Sequence, residues 1–189
     1  MPGREPSPSA LNHLGAVLGR ELDKPSGVEV RRGAPVNTSR SSWTVEDLLA
    51  LERSARSDRS GGSRATMWIV FLGGTFEPNE NALGVSFAAS AAAIFRDRID
   101  DATSALIIAS EIERSVLVHE AGHLLALVNI GYQSRFAHED AAHPNHSNNR
   151  DSVMYWAVED ISLRTLLSGG PPDDFDTADR ADLSDIRAG

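Results

Sequence analysis

The sequence predicts an α+β fold: an α/β-like N-terminal part with a mixed, twisted sheet of about four strands and a backing helix, then a long central helix, then an irregular C-terminal subdomain. Three observations carry this reading. Strand-like and helix-like runs alternate through the first half of the chain, the order that builds a right-handed crossover onto a sheet. Residues 115–131, SVLVHEAGHLLALVNIG, are apolar on almost every face, as a helix buried nearly all round must be. Residues 132–151 are polar and without period, yet they hold His138, His143 and His146, half of the six histidines in the protein.

With 189 residues, 41% hydrophobic and 24% charged, the chain has the composition of an ordinary globular protein with room for one sizeable core. A formal net charge of -9, with no basic cluster to offset it, argues against nucleic acid as a partner. No apolar run reaches the ~18 residues of a membrane-spanning helix, so no membrane span is expected. The absence of cysteine excludes disulfides and thiolate metal sites, which leaves histidine and carboxylate for any metal. The N-terminus carries no convincing signal peptide, so the chain as it stands reads as cytoplasmic; a start codon set too far downstream would hide an export signal. A monomer is the favoured state.

Residues 1–8 are rich in Pro and Ser and are expected to be disordered. Ser9 is the expected cap of a helix through Leu22, with Leu11, Leu14, Val17, Leu18 and Leu22 at helical spacing; His13 falls off that stripe, as a surface histidine does. Residues 28–32 alternate apolar and polar like a strand. In residues 43–56, WTVEDLLALERSAR, a threonine cap, acids in the first turn and the apolar face of Val45, Leu48, Leu49 and Leu51 specify a helix. Residues 65–72, ATMWIVFL, read as a central strand apolar on both faces, and 83–88 and 91–95 as two shorter strands. Residues 97–104 read as a polar link. The central helix then begins between residues 105 and 113 and is expected to end at Gly131, a glycine placed just past a helix C-terminus. Residues 161–167 read as a last helix, and 169–189 as an acidic tail with Phe175 and Leu183 as anchors. The expected organisation is one domain over residues 9–168, an upper part to 131 and a lower part from 132, followed by that tail.

Within the central helix, His119 and His123 are four residues apart, on one face and about 6 Å apart along the axis, so both imidazoles can address one metal ion. Glu120 lies beside them but off their line, where a general base for a metal-activated water belongs. A buried His-Glu-His trio needs a partner, and a metal supplies it. A hydrolytic zinc takes three protein ligands, so the third must come from outside the helix. In a helix that runs on to Gly131, Asn129 lies about 9 Å above His123 and off its face. The remaining candidates are His138, His143, His146 and carboxylates such as Glu139 and Asp140.

HEAGH followed by a later histidine and a methionine resembles the metzincin zinc peptidases, whose motif is H-E-x-x-H-x-x-G-x-x-H with a downstream Met-turn. The chain departs from that motif with Ala126 at the glycine position and Asn129 at the third-ligand position. Residues 146–154, HSNNRDSVM, are similar to the archaemetzincin pattern, in which the third histidine is followed by Cys, four residues, then Cys-Val-Met; Ser147 and Ser152 stand at the cysteine positions. Bacterial metzincin-like proteins with a longer active-site helix and a His-rich loop are also similar. The likeness is close over residues 115–156 and loose upstream. It implies a metzincin-like fold, one Zn2+ per chain held by His119, His123 and His146, with His143 as the alternative third ligand, and Met154 as an apolar floor beneath the histidines. The missing cysteines imply that no disulfide or metal clamp stiffens the loop. Tyr155 is a candidate donor to a developing oxyanion.

The resulting expectation is a zinc-dependent endopeptidase acting on a peptide or protein substrate. Zinc would acidify its bound water, Glu120 would take the proton and pass it to the leaving amine, and the substrate would pair with the edge strand near residues 83–87. The rival is a catalytically silent, zinc-stabilised binding or inhibitory module, with His138 or His143 as a fourth ligand closing the site. Retention of Glu120 speaks against it. A thermolysin-like glutamate ligand is disfavoured, because Glu139 lies in a polar loop and Glu159 follows Met154. His138 and His143 are otherwise expected at the surface or behind the ligands.

Overall fold

In the computed structural model, residues 5–104, 107–160 and 170–188 are described. Helix α1 (Pro8–Glu21) is capped by Ser7 rather than Ser9: the Ser7 hydroxyl accepts from Ala10 N at 3.2 Å and Pro8 takes the first helical position, where its missing N–H costs nothing. The Ser7 N–H also donates to Glu113 Oε2 at 2.8 Å, so the chain is fastened before residue 8, within the stretch expected to be disordered. His13 is not a free surface residue; its Nε2 sits 2.7 Å from the carbonyl of Asp173. Residues 28–32 alternate as a strand would but pair with no strand among the described residues, and Val30 is left exposed.

Strand β1 (Ser42–Trp43) leads into α2 (Val45–Ala55), whose start is a reciprocal cap between Thr44 and Asp47. Then follow β2 (Trp68–Leu72), β3 (Thr75–Phe76), which pairs in parallel with β1, and the hairpin β4 (Gly84–Ala88) and β5 (Ala91–Phe95). Among the described residues the main sheet has three strands in the order β2-β5-β4, parallel on one side of β5 and antiparallel on the other, where about four were expected. The central strand is β5, not the hydrophobic run at 68–72. All five residues of β5 are fully buried, and its three alanines let layers on both faces approach closely.

Alternation along the strands sorts the core into two layers. Ile94 faces α1 and α4 with Ile69 and Phe71, while Ala93, Phe95, Val70 and Leu72 face the α2 side with Trp43, Leu48 and Phe76. Residues 97–104, read as a polar link, instead belong largely to α3 (Arg96–Ala102): Ile99 and Ala102 are buried on one side, and Arg96–Asp100 and Arg98–Asp101 pair on the other.

Helix α4 (Ala109–Leu124) starts where expected but stops seven residues before Gly131. Leu125 closes it, and the chain then turns sharply, with Ala126, Val128 and Asn129 all in the left-handed region at φ 66°, 51° and 67°. Leu127 and Val128 are fully buried, so packing of these apolar side chains holds a backbone that L-residues disfavour. The loop read as irregular contains a short hairpin, β6 (Glu139–Asp140) and β7 (His143–Ser147). After the fully buried Val153 and Met154 comes a 3-10 turn, Trp156–Val158. The helix expected at 161–167 lies outside the described residues. The C-terminal stretch is more than an acidic tail: it forms α5 (Thr177–Ala188), with Phe175 and Leu183 buried as anchors. No helix among the described residues is long and apolar enough to cross a membrane.

Candidate metal centre

His119 and His123 lie on the buried face of α4, one turn apart, and their Nε2 atoms approach to 3.0 Å. His146 comes in from β7. Asn145, at φ 69°, bends the hairpin there, and its N–H donates to Glu139 Oε1 at 2.7 Å. The His146 ring lies 5.3 Å from that of His119 and 5.0 Å from that of His123, centroid to centroid. Two of the three rings are oriented from behind. The Nδ1–H of His119 donates to the Val153 carbonyl at 2.7 Å and that of His146 to the Pro144 carbonyl at 3.0 Å, which turns each Nε2 lone pair inward.

A fourth group enters the same space. Glu159, directly after the 3-10 turn, places Oε2 3.5 Å from His119 Nε2 and 3.9 Å from His123 Nε2, and Oε1 3.2 Å from His146 Nε2. One atom from each of the four side chains falls within 4.8 Å of the others, an arrangement that could hold a metal ion. The polar chemistry fits one. Two imidazole nitrogens 3.0 Å apart can satisfy each other only if one carries a proton, and His146 Nε2 is buried without a hydrogen bond of good geometry. Nitrogens bound at about 2.0–2.1 Å to a tetrahedral ion sit ~3.3 Å apart, close to the observed spacing.

Glu120 is completely buried on the adjoining side of α4. Ser86 of β4 donates its hydroxyl to Glu120 Oε2 at 2.8 Å, while Oε1 has no hydrogen-bond partner. Room for the carboxylate comes from Gly84, where a Cβ would lie 2.5 Å from Glu120 Oε1. Burial, and next the charge of Glu159, push the Glu120 carboxyl well above its ordinary value. Burial acts on Glu159 in the same direction, but its contacts with His119 and His146 more than offset it and hold that carboxyl well below. Burial and the neighbouring His119 lower His123, whereas the pairing with Glu159 raises His146 against the effect of burial. Two carboxyls are thus driven apart, one toward keeping a proton and one toward staying ionised.

Beneath the histidines lies Met154, fully buried against the helix at Gly122; a Cβ on that glycine would fall 2.3 Å from Met154 Sδ and 3.0 Å from Phe175 Cε1. Tyr155 is half-buried beside Trp156. The other expected candidates stand elsewhere. His143, the alternative third ligand, stacks on Trp156 at 4.2 Å and pairs through Nδ1 with Asp140 at 2.9 Å, outside the group of four. Asn129 bonds to Glu139 and to Ser134 N. His138 is neither exposed nor behind the ligands. Buried, it lies between two acids of α5, with Nε2 2.9 Å from Asp182 and Nδ1 3.7 Å from Asp179. Ser152 donates to Asp179 at 2.6 Å and Ser134 to Asp182 at 2.6 Å, so polar bonds fasten α5 to the loop.

The sequence disfavours Glu159 as a ligand because it follows Met154, yet the short turn after the buried Met154 brings it back to the histidines. No protein-family model matches the chain, and no curated protein and no solved structure matches it.

Proposed function

We propose that this chain is a zinc-dependent endopeptidase of metzincin type. The observation that carries the reading is the convergence of three inward-turned Nε2 atoms, from His119, His123 and His146, beside a buried glutamate on the same helix. The turn at Ala126 adds support, since it falls where the metzincin motif has its glycine and takes the backbone form a glycine permits. So does Met154, packed under the helix in the place the Met-turn takes in that family. The nitrogen-rich, thiolate-free donor set suits zinc.

When bound, zinc supplies a Lewis acid that polarises a carbonyl and acidifies a water. The chain's own residues do the rest. Ser86 holds one oxygen of Glu120, leaving Oε1 free to accept the proton of the attacking water and to deliver it to the leaving amine nitrogen. The raised affinity of Glu120 for a proton suits a group that must carry one between two steps. Strand β4, the outer strand of the main sheet among the described residues, offers backbone groups to an extended peptide.

The second reading is a zinc-stabilised binding module without turnover, and Glu159 favours it: a carboxylate facing all three histidines completes the four protein ligands of a closed, structural site. Zinc content and peptide-library cleavage, measured on the purified protein beside its Glu120→Ala variant, decide between the two. One zinc in both proteins with cleavage by the wild type alone is the expected result. Zinc in both and cleavage by neither moves the binding module to first place, and no zinc in the wild type ends both readings.

A further inference from the structure

Glu159 reaches the centre on a segment that is itself stitched to the rim of the sheet. Its carbonyl accepts from Leu83 N at 2.6 Å, and Asp160 forms an antiparallel bridge with Ala82. Ala82 and Leu83 lead directly into β4, the outer strand of the main sheet among the described residues. The segment is pinned from the other side by the buried Ala157 and Val158. It therefore lies along the entrance to the edge as a short added strand, and sends a carboxylate from that strand into the space between the histidines. An extended peptide bound along β4 would need the same rim. A water attacking its carbonyl would need the same position beside the three Nε2 atoms.

We propose that residues 157–160 are an internal plug, with Glu159 as an exchangeable fourth ligand that closes the centre at rest and must withdraw for a peptide to enter. The proposal rests on the zinc reading above and adds to it how the site is regulated. Withdrawal of the side chain frees the fourth position with no change to the three histidines, and a larger retreat of the segment would also break the Leu83–Glu159 hydrogen bond and the Ala82–Asp160 bridge. The Glu159 side chain is mostly buried but 28% accessible, so one side of it faces solvent.

The test uses the full chain with Glu159→Ala and the isosteric Glu159→Gln, both checked for native circular dichroism. Zinc affinity is read by competition with a chromophoric chelator, and the cobalt(II)-loaded proteins are titrated with azide and followed by their visible absorption. The plug predicts that both variants hold zinc at least tenfold more weakly than wild type. It also predicts that azide shifts the cobalt spectrum of the variants at concentrations that leave the wild-type spectrum unchanged. Equal zinc affinity and equal azide response in all three proteins overturns the plug while leaving the zinc reading intact. Failure of the wild type to take up either metal overturns both.

Discussion

Gly122, between the two helix histidines, sets two physical effects against each other. In an open helix position, Gly122→Ala would stabilise the protein by about 1 kcal/mol through propensity alone. Here the added Cβ would lie 2.3 Å from Met154 Sδ, 3.1 Å from Met154 Cε and 3.0 Å from Phe175 Cε1. Met154 has no exposed surface and Phe175 only 2%, so neither can retreat into solvent. Overpacking of this kind costs roughly 1–3 kcal/mol, which offsets the propensity gain and leaves a net loss of up to about 2 kcal/mol. Urea unfolding of the metal-free protein is the assay, since bound metal would add its own stabilisation, and the midpoint should fall at unchanged slope. Met154→Ala on its own should cost about 2–5 kcal/mol. In the double variant the new methyl group partly fills the space Met154 leaves, so the two effects fall short of their sum by about 1 kcal/mol or more. Stabilisation by Gly122→Ala, or strict additivity with Met154→Ala, would refute the packing argument.

Other perturbations test other parts of the frame. Ala126→Gly relieves a left-handed alanine and should raise the urea midpoint, by up to about 1 kcal/mol after the extra chain entropy of glycine is counted. Burial above all raises the Asp179 carboxyl from 3.8 to about 6, against hydrogen bonds from Ser152 and the Asp176 N–H and the charge of His138. Its contribution to stability is complete below about pH 4 and is lost as pH rises to about 6, because the unfolded chain ionises first. The loss is at most about 3 kcal/mol, and Asp179→Asn should flatten that part of the pH–stability curve relative to wild type. Gly84→Ala drives a Cβ into Glu120 Oε1 and Val116, so cleavage should fall at least tenfold while zinc affinity changes little; parallel loss of both would show that the strand itself had moved. Free zinc at about a thousand times its dissociation constant should add ~4 kcal/mol of stability, and His146→Ala should remove most of that gain in a thermal melt.

The parts of the fold readable in the sequence are those set by local chemistry. The Thr44–Asp47 cap, the helical face of α1 and the existence of β4 and β5 as strands follow from spacing and residue type. His119 and His123 were legible as a candidate pair for the same reason, being one turn apart, whereas spacing left three loop histidines open and only the resemblance to the archaemetzincin pattern singled out His146. What was hidden depended on contacts between distant residues. The segment 125–130 is apolar and reads as more helix, but burial of Leu127 and Val128 forces left-handed turns that no propensity marks. Residues 28–32 have the period of a strand and lack only a partner, which a period cannot supply. Small alanines concealed β5 as the central strand, because closeness of layers, not hydrophobicity, put it there. Asp179 and Asp182 did carry a faint signal, two acids three residues apart on the helix that bears the buried Leu183, yet their partner His138 lies a long way back in the chain.

The fastening of the C-terminal stretch bears on how the protein is made. Ser115 donates to the Pro172 carbonyl, Val153 N–H to the Asp174 carbonyl at 3.1 Å, and Phe175 closes the space under Gly122 and Met154. A ribosome delivers the HEAGH helix first, His146 and Met154 later, and these fasteners later still. Until they arrive, the nascent chain carries the two helix histidines with no floor beneath them, open to water on the side that is buried in the finished molecule. Assembly of the centre is therefore a late event in synthesis, and a polypeptide interrupted before Phe175 would expose histidines without acquiring a pocket.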